Sequence, residues 1–247
     1  MNLGDRIVEY YEDRFKNKLM RRTVTIIRLD GKGFSKYTSA LEKPFDKAFS
    51  DDMDATTIFL CKNIQGAKFG YTQSDEITIV LSDFDELESQ AWFDYSVQKI
   101  TSIAASIATA KFNELRKFRD PSANLAFFDA RVFQVPTLDE MVNTIIWRQQ
   151  DCTRNSISMA ASAYFPHKFL EKKSSDEKQE LLFTEKNINW NDYLPKFKRG
   201  SVIRKYPVTL QGRDGKDVIR NKWLADANTP IISQDKNYLL SLFENKE

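Results

Sequence analysis

The chain has 247 residues, of which 41% are hydrophobic and 29% charged, and its net charge is +2. This composition is typical of a folded globular protein and excludes a disordered one. The length suits one large domain or two modest ones, and no stretch approaches the roughly 20 apolar residues of a membrane helix. Because the N-terminal residues are charged where a signal peptide is apolar, we expect a cytoplasmic protein without membrane contact.

Few residues are available for histidine or cysteine chemistry. The chain has one histidine, His167, and two distant cysteines, Cys61 and Cys152. Histidine-based triads, histidine metal sites and zinc knuckles are therefore excluded as the main chemistry. Catalysis would have to come from carboxylates, a bound metal, Lys, Arg or Ser.

Strand and helix patterns alternate through the first half of the chain. Hydrophobic runs and helical spacing predict strand, helix, strand, strand, helix, strand over residues 23–29, 43–63, 67–71, 77–81, 89–118 and 127–135. This βαββαβ order predicts an α+β fold of the ferredoxin-like type, with its helices on one face of the sheet.

The second half of the chain has weaker patterns. A capping box at Thr137–Glu140 predicts a helix that Pro166 bounds. A β-hairpin is predicted over 201–209 and 216–224, around the turn Gly212-Arg213-Asp214-Gly215. We therefore expect a catalytic domain over residues 1–135 and, packed on it, a helical and β-hairpin C-terminal region over 136–247.

Two acidic positions interrupt predicted strands. Asp30 follows the first strand, and Asp75 lies in the turn between the two central strands. In a βαββαβ fold these two places are neighbours. Two close carboxylates repel each other unless one takes up a proton or a cation lies between them. A pair of Mg²⁺ ions about 4 Å apart would satisfy both and polarise a phosphoryl group, and oxygen ligands favour Mg²⁺ over zinc.

The residues around these acids suit a triphosphate. Gly31 and Gly33 would let the backbone approach phosphate, Lys32 and Lys43 would add positive charge, and Ser74 would add a hydroxyl. Asp-Gly turns and acidic hairpin tips are also common in proteins without any such site. The pattern alone therefore leaves both a plain turn and a nucleotide site open.

Four ordered sequence blocks carry a family resemblance. They are RLDGKGF at Arg28–Phe34, QSDE at Gln73–Glu76, FDARV at Phe128–Val132 and WRQQD at Trp147–Asp151. Over about residues 5–165 the chain resembles the tRNA-histidine guanylyltransferase superfamily, the 3′–5′ nucleotide-adding polymerases. The resemblance implies a polymerase- or cyclase-type palm and a homotetramer.

The resemblance also implies roles for particular residues. Asp30, Asp75 and the carbonyl of Gly31 would hold two Mg²⁺ ions, and Glu76 would be a third catalytic acid. ATP and GTP or another nucleoside triphosphate would contact Asp30, Gly31, Lys32, Gly33, Phe34, Ser35, Lys43, Ser74, Asp75 and Lys99. For the tRNA substrate, the predicted contacts are Arg131, Arg148, Asn155, Lys196, Lys198, Arg199, Arg204 and Lys205.

The implied reaction has two stages. ATP first adenylylates the 5′-monophosphate of a tRNA, and the 3′-hydroxyl of an incoming nucleotide then attacks the activated end. Members that guanylylate histidine tRNA usually carry His-Ile-Asn-Asn where this chain has Thr153-Arg154-Asn155-Ser156. The segment is similar to the bacterial and archaeal like-protein branch, which implies template-dependent repair of tRNA 5′ ends. At the position of an arginine in the family, this chain has Ser96. Whether the protein also guanylylates histidine tRNA stays open.

Two other functions remain as alternatives. A nucleotide cyclase or another palm-type transferase would share the carboxylate pair, although the basic stretch over residues 196–222 favours a polynucleotide substrate. A non-catalytic RNA-binding ferredoxin-like module would need aromatic residues on an open sheet face, for which Phe69 and Tyr71 are the candidates.

Overall fold

One six-stranded antiparallel sheet, with strand order β4-β1-β3-β2-β5-β6, organises the fold. The computed structural model describes residues 1–211 and 216–244. The first four strands, in the order β4-β1-β3-β2, confirm the predicted ferredoxin-like arrangement, and the hairpin β5-β6 extends the same sheet beside β2. The turn predicted at Gly212–Gly215 lies outside the described residues. The strands are β1 Val24–Gly31, β2 Ala67–Gln73, β3 Glu76–Leu81, β4 Phe128–Val135, β5 Ser201–Gln211 and β6 Asp217–Ala225.

Helices connect and cover these strands. They are α1 Leu3–Ile7, α2 Phe34–Tyr37, α3 Lys47–Asn63, α4 Val97–Arg119, α5 Leu138–Ser162, α6 His167–Leu170, α7 Ser175–Lys186, α8 Pro195–Arg199 and α9 Lys236–Glu244, with short π or 3₁₀ turns at Val8–Glu12, Asp13–Phe15, Trp92–Tyr95 and Trp190–Asp192. Within the described ranges no helix is both long and apolar enough to cross a membrane.

The helix predicted over residues 89–118 is shorter than expected. It begins at Val97, because Phe93, Asp94 and Tyr95 have positive φ angles of 50°, 48° and 53°. The carbonyl of Tyr95 accepts a hydrogen bond from the Leu19 backbone N–H at 3.0 Å. This contact with the segment before β1 holds residues 93–95 out of a helical conformation, which the sequence pattern alone did not indicate.

The two faces of the sheet are covered by different helices. On one face, α3 and α4 pack on side chains of β1 and β3 such as Leu29 and Ile79, as predicted for the two helices of the βαββαβ unit. On the other face lie α5 and α9, so the prediction of helices on one face holds only for that unit. Phe69 and Tyr71 are 0% and 1% exposed beneath this second layer, which removes the open aromatic face that the RNA-binding module required.

A buried carboxylate joins the two helices of the first face. Asp52 of α3 is 1% exposed and accepts hydrogen bonds from Arg116 at 3.2 Å and Arg119 at 2.8 Å, both on α4. Burying such a charge is tolerated only when it is paired.

Strands from before and after residue 135 belong to the same sheet. The predicted division of the chain into two regions at that position stays a prediction.

Candidate active site

The end of β1 and the turn between β2 and β3 meet at one edge of the sheet. The backbone N–H of Gly31 donates to the carbonyl of Asp75 at 3.2 Å. Ser74, at φ 49°, forms the turn with Asp75, and its hydroxyl donates to the Asp75 carboxylate at 3.1 Å. The structure therefore brings the predicted pair Asp30 and Asp75 to the same edge.

Acidic side chains line this edge across three strands. Asp30 pairs in register with Glu76 of β3 on one side and with Asp129 of β4 on the other. Directly opposite residues of neighbouring strands place their Cβ atoms about 5 Å apart on one face. With Asp75 at the turn, four carboxylates therefore lie close together.

Two of these four carboxylates pair with arginine, Glu76 in a buried ion pair and Asp129 in an exposed one. The Arg148 side chain donates to Glu76 at 2.6 Å, where both residues are 8% exposed, and Arg131 pairs with Asp129 at 3.0 Å. Asp30 and Asp75 form no ion pair with any residue that the structure describes. Negative charge thus remains on the two residues that were predicted to hold a cation.

The electrostatics of the site follow from this pairing. Burial raises the pKa of the Asp75 carboxyl, and the negative charge of Asp30 raises it further. Burial also raises the pKa of Glu76, against which the Arg148 guanidinium acts. Asp75 is thereby held in a place where its charged form lacks a counter-charge.

The donor set suits a hard divalent cation. Asp30 and Asp75 offer carboxylate oxygens, and Gly31 adds a backbone carbonyl beside them; Mg²⁺ prefers such oxygen ligands. In the described part of the chain no group of three or more His, Cys, Asp or Glu side chains could hold a metal. A cation here would therefore rest on two carboxylates, that carbonyl, and oxygens of water or substrate.

The glycine-rich loop after β1 is built around Phe34. Its ring is 3% exposed and packs on Phe49, Phe112 and Phe128. A Cβ at Gly31 would lie 2.3 Å from this ring, and Gly33 takes φ 69°, so the loop requires glycine at both positions. Phe34 therefore anchors the loop from below, while Lys32, Gly33 and Ser35 are exposed above it.

Beside the turn, Ser74 and Asn155 line a cavity of about 70 Å³ that also includes Phe45 and Lys196. Lys43 lies two residues before Phe45 in the chain and is exposed, and its amine donates to the Thr38 carbonyl at 2.9 Å. The cavity brings the predicted nucleotide contact Ser74 next to the predicted RNA contact Asn155.

The model of the Thg1 family, tRNAHis guanylyltransferase, matches residues 5–136, which is more than half of the chain. The chain belongs to the tRNA(His) guanylyltransferase family. It is a nucleotidyltransferase, and its activity is 3′–5′ nucleotidyl transfer on tRNA.

Relatives and solved structures agree with this membership. The chain is 29% identical over 206 residues to the tRNA(His) guanylyltransferase of Schizosaccharomyces pombe, an alignment that covers 78% of this chain and 77% of that protein. A bacterial tRNA(His) guanylyltransferase (Thg1)-like protein in complex with ATP is 43% identical with a TM-score of 0.89, covering 99% of this chain and 100% of that one. Another such bacterial structure, in complex with GTP, is 38% identical with a TM-score of 0.80, covering 98% and 99%.

One predicted nucleotide contact, Lys99, lies far from the site. Thr109 of α4 accepts a hydrogen bond from the backbone N–H of Phe128, which pairs in register with Gly31. Lys99 is exposed and lies ten residues earlier on α4, about 15 Å along a helix. The structure therefore does not bring Lys99 to Asp30 and Asp75 of the same chain.

Most cations that were predicted to bind RNA have internal partners. Arg148 pairs with Asp151 as well as Glu76, Lys196 pairs with Asp51 at 2.5 Å and Asp54 at 3.3 Å, and Arg204 pairs with Asp226 at 3.3 Å. Lys205 lies 5.2 Å above the ring of Trp223. Lys198 and Arg199 form no ion pair among the described residues. The RNA roles of all these residues, and of Arg131 and Asn155, stay predictions.

Sequence reasoning missed Asp129 and Asp151. Strand alternation places Asp129 on the same face as Asp30, a signal that was available once β4 was predicted. Asp151 lies three residues after Arg148 on α5, where helical neighbours meet, and the two side chains are 2.9 Å apart. Both residues act here by pairing with the arginines that border the site.

Proposed function

We propose that this guanylyltransferase family member is a Mg²⁺-dependent 3′–5′ polymerase of the like-protein branch that repairs tRNA 5′ ends against a template in the cytoplasm. The observation that carries the proposal is the pairing pattern at the sheet edge, where Glu76 and Asp129 pair with arginine while Asp30 and Asp75 have no ion pair among the described residues. The bacterial Thg1-like structures in complex with ATP and with GTP support nucleoside triphosphates as substrates.

Each part of the site has a role in this proposal. Asp30, Asp75 and the Gly31 carbonyl would hold two Mg²⁺ ions, which supply Lewis acidity to phosphoryl transfer when bound. Lys32, Gly33 and Ser35 would position a triphosphate from the exposed side of the loop, with Lys43 and Ser74 nearby. ATP would adenylylate the tRNA 5′-phosphate with release of pyrophosphate, and the 3′-hydroxyl of the next nucleotide would attack the activated phosphate and displace AMP.

The position of Lys99 supports an oligomer. This lysine lies too far along α4 to serve the site of its own chain. A nucleotide contact by Lys99 therefore requires a second copy of the chain, in keeping with the predicted homotetramer. Mixing a Lys99→Ala chain with an Asp75→Ala chain tests this, since a shared site would restore part of the activity that each variant lacks alone.

A single assay separates the candidate functions. The protein is incubated with a 5′-truncated tRNA, ATP, Mg²⁺ and each nucleoside triphosphate in turn. Extension only by the nucleotide that complements the template supports repair. In a parallel reaction with full-length histidine tRNA, addition of guanosine, without any extension of the truncated tRNA, indicates guanylylation instead. A cyclic nucleotide formed in a parallel reaction without RNA, or no extension with any nucleotide, would overturn the proposed repair.

A further inference from the structure

Trp147 of α5 contacts two arginines beside the active-site edge. The guanidinium carbon of Arg148 lies 4.4 Å from the centroid of its ring, and that of Arg28 lies 5.4 Å from it. Both distances are within the range of cation–π attraction. Trp147 is itself 50% exposed. Its ring therefore holds positive charge next to the four carboxylates where β1 ends.

The two arginines differ in their other contacts. Arg148 donates to Glu76 at 2.6 Å and to Asp151 at 2.9 Å, so it has two carboxylate partners besides the ring. Arg28 of β1 is half-buried and forms no side-chain hydrogen bond or ion pair with any residue that the structure describes. Among the described residues, the Trp147 ring is thus what holds the Arg28 guanidinium.

The neighbouring strand β4 shows how an arginine at the same position behaves without such a ring. Arg131 and Asp129 lie two positions apart on β4 and form an ion pair at 3.0 Å. Arg28 and Asp30 have the same spacing on β1, and in the sheet register Arg28 lies opposite Arg131 and Asp30 opposite Asp129. Residues two apart on a strand point to the same face. Arg28 is therefore placed to reach Asp30, yet no ion pair joins these two described residues.

We propose that Trp147 is a positioning residue, which keeps Arg28 away from Asp30 by binding its guanidinium. Trp147 belongs to α5, which covers this face of the sheet. Its ring competes with the carboxylate for the same cation through cation–π attraction. Without the ring, the long side chain of Arg28 would be free to pair with Asp30, as Arg131 pairs with Asp129.

An ion pair at Asp30 would interfere with the binding of a divalent cation. Mg²⁺ would have to displace the guanidinium before it could reach the carboxylate, because a charge-assisted hydrogen bond would already occupy the oxygens. Asp30 would then resemble Asp129, which arginine already holds. Trp147 therefore matters for metal binding only if the proposed function holds, whereas its contact with Arg28 is independent of that function.

Urea unfolding without metal tests the contact through Asp30→Asn. In the parent, asparagine removes the repulsion between Asp30 and Asp75, so we expect a higher unfolding midpoint. In the Trp147→Leu background Arg28 is released and pairs with Asp30, so Asp30→Asn should lower the midpoint. A change in the same direction in both backgrounds would overturn the proposal.

Mn²⁺ binding tests the consequence for the site. Electron paramagnetic resonance of free Mn²⁺ gives its Kd, and loss of binding in Asp75→Ala identifies the site. We expect Trp147→Leu to raise this Kd about tenfold, in the range of other residues that orient metal ligands. Adding Arg28→Met to Trp147→Leu should return the Kd to within about threefold of the parent. An unchanged Kd in Trp147→Leu, or weak binding that persists in the double variant, would refute the proposal.

Two further variants separate the ring from its bulk. Trp147→Phe keeps a smaller ring and should bind Mn²⁺ more tightly than Trp147→Leu. Phe118→Leu removes an aromatic side chain that is 90% exposed on α4 and should leave the Kd unchanged. Equal Kd values for Trp147→Phe and Trp147→Leu would contradict a role for the ring. A parent that binds no Mn²⁺ would refute the proposed metal site, and the urea result would then decide the role of Trp147 by itself.

Discussion

At the residue scale, ion pairing decides which carboxylates can accept a cation. Four acidic residues lie where β1 ends, and two of them, Glu76 and Asp129, form ion pairs with arginine. Asp30 and Asp75 are left to repel each other, which a divalent cation would relieve. The chemistry of the site thus depends on Arg148 and Arg131 as much as on the aspartates themselves.

Asp75→Ala should abolish nucleotide addition. Loss of one proposed metal ligand should lower the rate by at least about a hundredfold, since even partners outside the ligand shell cost 10- to 100-fold. Extension of 5′-truncated tRNA measures this, beside Glu185→Ala on the exposed surface of α7 as a control. Turnover near the parent rate would exclude the two-aspartate site.

Arg148→Met should destabilise the fold by leaving Glu76 buried and unpaired. Removal of one partner of a buried ion pair typically costs about 3–5 kcal/mol. Urea unfolding measures the loss, and adding Glu76→Gln to Arg148→Met should recover part of it because the uncompensated charge is then absent. A double variant no more stable than Arg148→Met alone would contradict this account.

At the element scale, ion pairs join helices that are distant in sequence. Asp52 links α3 to α4, and Lys196 links α8 to Asp51 and Asp54 of α3. Both contacts fix the positions of helices near the glycine-rich loop after β1. We therefore expect Lys196 to stabilise the packing of α8 on α3.

Lys196→Ala should therefore lower stability by about 1–3 kcal/mol, because the carboxylates of Asp51 and Asp54 each lose one of their hydrogen-bond partners. Lys222→Ala, on an exposed position of β6, should stay within about 0.5 kcal/mol of the parent. Chemical denaturation of both variants measures the difference. Equal stability of the two would mean that Lys196 is free to serve RNA alone.

At the scale of the whole molecule, one sheet carries both the active-site edge and the basic hairpin. The strands β2 and β5 pair over Gly70–Ile203 to Thr72–Ser201, next to the turn that carries Asp75. α5 and α9 cover the second face of this sheet. Ligands at the active site should therefore stabilise the molecule as a unit.

Mg²⁺ with ATP should raise the free energy of unfolding by about 2.7 kcal/mol at a hundredfold excess over Kd. Thermal unfolding with Mg²⁺-ATP, with ATP and EDTA, and with Mg²⁺ alone measures the shift. Asp75→Ala should abolish it. An equal shift in EDTA would show that nucleotide binds without the cation.

Local pattern was enough to determine the βαββαβ order, because hydrophobic periodicity and turn residues act over a few positions. It also predicted that Asp30 and Asp75 would meet, since the topology places the end of β1 beside the β2–β3 turn. The family blocks added the chemistry, and membership in the family is confirmed.

Only the tertiary structure decided how the charges are used. Arg148, Lys196 and Arg204 look alike in sequence as basic residues, but each has a carboxylate partner more than 20 positions away. The same holds for Lys99, whose distance from the site depends on how α4 lies along the sheet. Such contacts join residues that are remote in the chain. They depend on how the complete fold packs, which no local sequence pattern encodes.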